Sequence, residues 1–444
     1  MTNRKAPGNG GSMSERRRAR AQRASSIAMF AAAAMGAVVL LPVAAMAQPV
    51  IASDQPAGYV VYPKIVSDPN DIFQTGIATE TAIQLTNTKT TVPNLVVHCF
   101  YVDATSHCSN GTNSFDPPPN GKGACRTTAD CDLGGVCQPN WDETDFTFVM
   151  SPGQPIGWNV SEGLSSIPFT GVGNIKPVPE NYFVGELKCV EVDGTAIVGA
   201  GATTFSPLPQ NDLKGEATIY NARVGSSPAS FIDVRSYNAV GVQAVTGSPQ
   251  PQPTDGTRVL CLGSNSASTN CKTAGFAACP SKLILNHLFD ETFPSASFQR
   301  HTDLTLVPCS ENFVNQDLQT LTTVQFLVYN EFEQRLSAST KVQCFKEIQL
   351  SHIDARPGNE VTSVFNIGVQ GTLTGQTIIR PLTGTETDTG HGLLGVAEEF
   401  DSFASIGSQL ELSRQGSVAW QVDYFPVTNP NKADVVSYVP GDSP

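Results

Sequence analysis

Hydrophobic and polar positions alternate with a period of two over short stretches of this chain. Within Thr81–Phe100, Ile83 and Leu85 and then Val97 and Cys99 alternate with polar neighbours. Within Thr322–Phe345, Val324, Phe326 and Val328 and then Val342 and Cys344 do the same. Such a period sends successive side chains to opposite faces, so each arm reads as a half-buried strand. Both stretches open on Thr, any residue, a β-branched aliphatic and Gln, and both close on Val, a polar residue, Cys and Phe. They read as one antiparallel strand pair used twice.

Further landmarks extend the repeat in order. Val61-Tyr62-Pro63-Lys64 precedes the first copy as Leu306-Val307-Pro308-Cys309 precedes the second. Downstream, Pro152-Gly153-Gln154 is answered by Pro357-Gly358-Asn359, and Ile175-Lys176-Pro177 by Ile379-Arg380-Pro381. The chain is rich in Thr, Val, Gly and Pro and has no long helical periodicity, so the expected class is all-β. The expected organisation is two β-sandwich domains, residues 48–246 and 257–444, related by internal duplication. The Pro-stiffened linker 247–256, GSPQPQPTDG, joins them. This order of motifs resembles tandem bacterial immunoglobulin-like β-sandwiches of secreted proteins, a resemblance of architecture that implies no chemistry.

Residues 1–47 run from a basic segment (Arg16, Arg17, Arg18, Arg20, Arg23) through an apolar stretch, Ile27–Leu41, to Ala45-Met46-Ala47. That order is expected of a secretory signal peptide, and hence of a secreted, cell-surface or periplasmic protein. Of 27 Lys/Arg and 40 Asp/Glu, seven and one lie in residues 1–47, leaving 20 against 39 and a formal charge of −19. That charge repels phosphate backbones and anionic headgroups, which argues against nucleic-acid and lipid binding, and no second apolar run reaches membrane length, so no membrane insertion is expected. Eleven cysteines in an exported chain imply disulfides with one sulfur left over, among Cys261, Cys271 and Cys279.

The first copy carries 41 residues more than the second between its Cys (Cys99 against Cys344) and its Ile-basic-Pro landmark. This insertion, about 101–145, has loop composition and holds Cys108, Cys125, Cys131 and Cys137, which should form two staples. The expected bridges elsewhere are Cys99–Cys189 across the first sandwich and Cys309–Cys344 in the second. The run Cys125-x5-Cys131-x5-Cys137 resembles short Cys-rich units of surface proteins in myxobacteria-like bacteria, over 13 residues.

His98-Cys99 and His107-Cys108 could be drawn as a zinc or copper set. Neighbours on a strand face apart, however, and disulfides beside exposed histidines account for them better. Asp130, Asp132, Asp142, Glu143 and Asp145 place five carboxylates near the insertion and are weak candidate calcium ligands, although no EF-hand spacing is present. Gly-x-Ser-x-Gly, His-Glu-x-x-His and phosphate-loop patterns do not occur. Adjacent Glu398 and Glu399 face apart and do not form a hydrolytic pair. Trp420 reads as core, and Trp141 as the exposed aromatic that could contact a surface glycan or protein. The expected function is a non-enzymatic, cofactor-free structural or binding protein. The alternative is a carbohydrate-active or metal-dependent enzyme assembled from dispersed loop acids.

Overall fold

The computed structural model describes residues 51–112, 123–193, 207–208, 210–225, 231–244, 259–260, 276, 280, 282–291, 298–308, 311–312, 321–356, 358–382, 392–403 and 418–425. Residues 1–47, the linker 247–256, and Cys261, Cys271, Cys279 and Cys309 lie outside them. The described chain is all-β, in antiparallel sheets, with strands numbered here in chain order. The first sheet runs β1 (Ile51–Ala52), β12 (Val240–Val242), β2 (Tyr59–Ser67), β9 (Phe183–Glu191), β4 (Leu95–Asp103), β7 (Asp142–Met150). Facing it across a shared core lies a second, β11 (Phe231–Asn238), β10 (Leu213–Arg223), β3 (Ile77–Asn87), β8 (Pro155–Asn159).

The C-terminal half contributes two four-stranded sheets. One is β14 (Leu283–Leu288), β20 (Thr374–Leu382), β17 (Leu321–Asn330), β18 (Arg335–Gln343). The other is β19 (Lys346–Gln349), β15 (Phe298–Pro308), β21 (Leu393–Phe403), β22 (Val418–Phe425). Leu285, Val324, Phe326 and Ile379 from the former meet Leu304, Leu306 and Leu393 from the latter in one core.

The six-stranded sheet is buried on both faces. Val60, Tyr62, Val97, Cys99, Tyr101 and Leu187 point into the first core. Tyr59, Val61, Phe100, Val190 and Val240 point the other way, onto Val307, Phe345 and Leu394 of the second half. This explains why Tyr59-Val60-Val61-Tyr62 is apolar throughout, since a strand covered on both sides has no face to leave polar.

Three expectations are corrected. The stretches Thr81–Phe100 and Thr322–Phe345 are not one strand pair used twice. β17 and β18 do pair, with Thr322 opposite Val342, whereas β3 and β4 lie in opposite sheets. The connection 88–94 crosses from one sheet to the other instead of turning back. Cys99 and Cys344 are also not equivalent, because Cys99 is an interior strand residue and Cys344 sits at a bend with φ of 56°. The disulfide Cys99–Cys189 forms, but within one sheet, where the two residues are register partners on β4 and β9 with Cα atoms 4.1 Å apart. It therefore locks neighbouring strands and does not cross the sandwich. Replacing both cysteines by Ala should lower unfolding stability by about 2–5 kcal/mol, because the bridge closes a long loop of the unfolded chain; urea melts measure this.

A buried charge cluster joins the halves. The β2–β9 register slips between Tyr62 and Ile65, a bulge at Pro63-Lys64 that removes two ladder partners. The Tyr237 hydroxyl replaces them, accepting from the Lys64 N–H at 3.2 Å and donating to the Lys64 carbonyl. The bulge aims the Lys64 ammonium at Glu347 (2.8 Å) and Glu398, and Arg235 Nε lies 2.9 Å from Glu398 Oε1. Burial works against the charge on both ions. The facing carboxylates nevertheless hold Lys64 above its ordinary value, and Lys64 with Arg235 hold Glu398 below its own.

Candidate functional site: the stapled loop between β4 and β7

β4 and β7 pair from Leu95–Met150 to Asp103–Asp142, so the insertion is the loop of one hairpin. Its bounds are narrower than 101–145. Tyr101–Asp103 and Asp142–Asp145 are strand residues, and Tyr101 is core, accepting a hydrogen bond at 2.9 Å from Trp158 Nε1. Inside the loop, β5 (His107–Cys108) pairs with β6 (Cys137–Gln138). Cys108–Cys131 and Cys125–Cys137 are the two staples. The three sulfurs of Cys108, Cys125 and Cys131 converge within 4.8 Å, a spacing that these disulfides explain without a metal.

The base of the loop is tied to the core by polar groups. The Ala104 N–H donates to the Val184 carbonyl (2.8 Å), and the Thr105 hydroxyl accepts from the Val184 N–H (3.1 Å). Asp103 hydrogen-bonds Glu180, whose Oε2 lies 2.9 Å from His107 Nε2. Burial first, and the neighbouring Glu180 second, push the Asp103 carboxyl up to about 8, so at neutral pH this acid pair holds a proton. A second contact is apolar. Ala124 packs with Ile72 and Phe73, the Phe73 ring meets Tyr182 edge-on at 4.8 Å, and the Arg126 guanidinium lies 3.9 Å above Phe73.

The tip is a tight turn. The Gly135 N–H donates to the Asp132 carbonyl at 2.9 Å, with Leu133 at φ 49° and Gly134 at φ 78°. Two central residues of positive φ define a turn that favours Asn-Gly, and Leu there costs about 1 kcal/mol. A Cβ on Gly135 would meet Asn110 Oδ1 at 2.5 Å, so a larger residue there would displace the Asn110 side chain. The Leu133 side chain is fully exposed and Val136 is half exposed.

The five candidate calcium ligands are not brought together. Asp130 caps a short 3-10 turn, its Oδ2 accepting from the N–H groups of Arg126 and Thr127 at 2.8 Å each. Asp132 is in the tip, and Asp142, Glu143 and Asp145 lie along β7, with Asp145 3.2 Å from His98 Nε2. Residues 98 and 107 are not the exposed histidines expected. His98 is buried between Thr147 and Asp145, on the sheet face opposite Cys99, and His107 is largely covered. Trp141 is half-buried against the second apolar cluster, an anchoring position, and β22 carries Trp420, whose side chain lies outside the described residues. Glu399 faces away from Glu398 and accepts from the Leu288 N–H.

Asp103 and Glu180 were missed by reading the sequence. They are 77 positions apart and share no motif, and only the pairing of β4 with β9 brings their neighbourhoods together. No family model matches the chain, and no curated protein matches it.

Proposed function

We propose that this chain is an exported, non-enzymatic β-sandwich protein whose stapled loop docks a partner protein at the cell surface. The observation that carries the reading is Leu133, a fully exposed aliphatic held at positive φ on a turn with two disulfides behind it. Strain at an exposed tip is a cost with no folding return and is typical of recognition sites. Cross-links also lower the ordering entropy that a loose loop would lose on binding. An aliphatic knob fits an apolar protein pocket, whereas a sugar ring favours an exposed aromatic face, and Trp141 is packed down. The disulfides support an oxidising destination.

The tandem immunoglobulin-like reading is carried by four strands in each half. The pair β2–β9 corresponds to β15–β21, and β3–β8 to β17–β20, each pair in opposite sheets of its sandwich. A duplication of these four strands, elaborated separately in each half, accounts for Val61–Lys64 matching Leu306–Cys309 and for Ile83 matching Val324, while Ile175–Pro177 lies outside β8 and its match Ile379–Pro381 lies within β20. The enzyme reading has Asp103, Glu180 and His107 as its converging group. Their hydrogen bonds to one another and their burial favour an anchoring role.

The test is Leu133→Asn, which suits the turn and removes the knob. Stability should rise by about 0.5–1 kcal/mol, the relief of left-handed strain. Affinity for purified cell-envelope proteins, measured by surface plasmon resonance, should fall tenfold or more. A variant that binds those proteins unchanged, or a wild type that binds a glycan panel instead, overturns the proposal.

A further inference from the structure

Among the described residues, β18 is an open sheet edge of unusual regularity. Its nine residues pair with β17 over an unbroken register from Leu321–Gln343 to Tyr329–Arg335. On the other side, no hydrogen bond to Arg335–Val342 is made by any described residue. Edges are usually blunted by bulges, Pro, edge lysines or inward-pointing charge; β18 has no bulge, Pro or inward-pointing charge, and its charge is confined to Arg335 and Lys341 on the outer face. The other nine-residue edge, β7, is covered, since the Val149 N–H donates to the Val172 carbonyl and Phe148 bridges Gly173.

We propose that β18 is a dimerisation edge, pairing antiparallel with β18 of a second copy of this chain about a two-fold axis at Ser339. The argument for a second copy is self-complementarity. The axis sets Arg335 opposite Gln343, Leu336 opposite Val342, Ser337 opposite Lys341 and Ala338 opposite Thr340, so no like charges meet. Arg335, Ser337, Ser339 and Lys341 are exposed on the outer face. Leu336, Ala338 and Val342 lie on the face turned to the core, so pairing continues an apolar face from one sandwich to the next. The contact is isologous and closes at two copies, which separates it from open-ended edge aggregation.

Sedimentation equilibrium of the mature chain over a concentration series tests this, with unchanged thermal melting as the control for folding. The wild type should be a dimer. Ser337→Lys with Ser339→Lys brings like charges together at the axis and twice against Lys341, and should weaken the dimer about tenfold or more. Ser337→Glu faces Lys341 twice and should tighten it about threefold. A monomer at every concentration, a dimer indifferent to the lysines, or a dimer that Ser337→Glu does not tighten each overturns the proposal.

Discussion

Glu398→Gln should be among the most destabilising single substitutions in this protein, at about 3–5 kcal/mol in urea melts, because it removes the carboxylate that two buried cations share. Glu398 has 1% side-chain exposure and faces Lys64 at 5% and Arg235 at 7%. Removing its charge leaves Lys64 with Glu347 and Asp303, and takes from Arg235 the carboxylate 2.9 Å from its Nε, with Phe400 5.2 Å from its guanidinium. Glu347 is one-third exposed, so Glu347→Gln should cost no more than about 1 kcal/mol. The net worth of the cluster is a separate quantity. Replacing Lys64 and Arg235 by Met together with Glu398 by Leu should recover most of the loss, because a buried pair compares poorly with apolar packing of similar volume. A Glu398→Gln protein within 1 kcal/mol of wild type would show that water reaches the cluster.

Stability should also fall as pH rises from about 4.5 to 8. Burial raises Asp103 and Glu191 to about 8 and Asp290 to about 7, against ordinary values near 4. Across that window the folded chain keeps protons that the unfolded chain has lost. The contribution of these acids is therefore complete below the unfolded values and is lost as pH climbs to the folded ones. Glu398 has the opposite sign, since its folded value is depressed and its contribution disappears on acidification. The two trends set an optimum at mildly acid pH. Asp103→Asn keeps a donor toward Glu180 without a proton to lose. It should flatten the slope between pH 5 and 8 and stabilise the protein at pH 8 by about 1 kcal/mol or more. A variant whose melts track wild type at every pH would remove Asp103 as a source of the dependence.

Much of the local structure was legible in the sequence. Period-two alternation located β3, β17 and β18, because a strand with one buried face must alternate whatever its partners are, while β4, covered on both faces, alternates only around Val97 and Cys99. The two staples of the loop followed from its composition, since a polar segment without a core needs cross-links close at hand. Cys99 and Cys189 were identifiable as a pair, but not as neighbours in one sheet, because spacing along a chain says nothing of which strand lies beside which.

Composition and periodicity determined the all-β class, the strands and the cross-linked loop, because these depend on contacts within a strand or between near residues. Tertiary structure alone decided that β3 and β4 part into opposite sheets, that the six-stranded sheet has a second covered face, and that Lys64 meets Glu398. It also put Asp103 beside Glu180. Each of these joins residues far apart in the chain, and the free energy comes from burying two surfaces together. Neither surface carries a mark in sequence of which other surface will cover it.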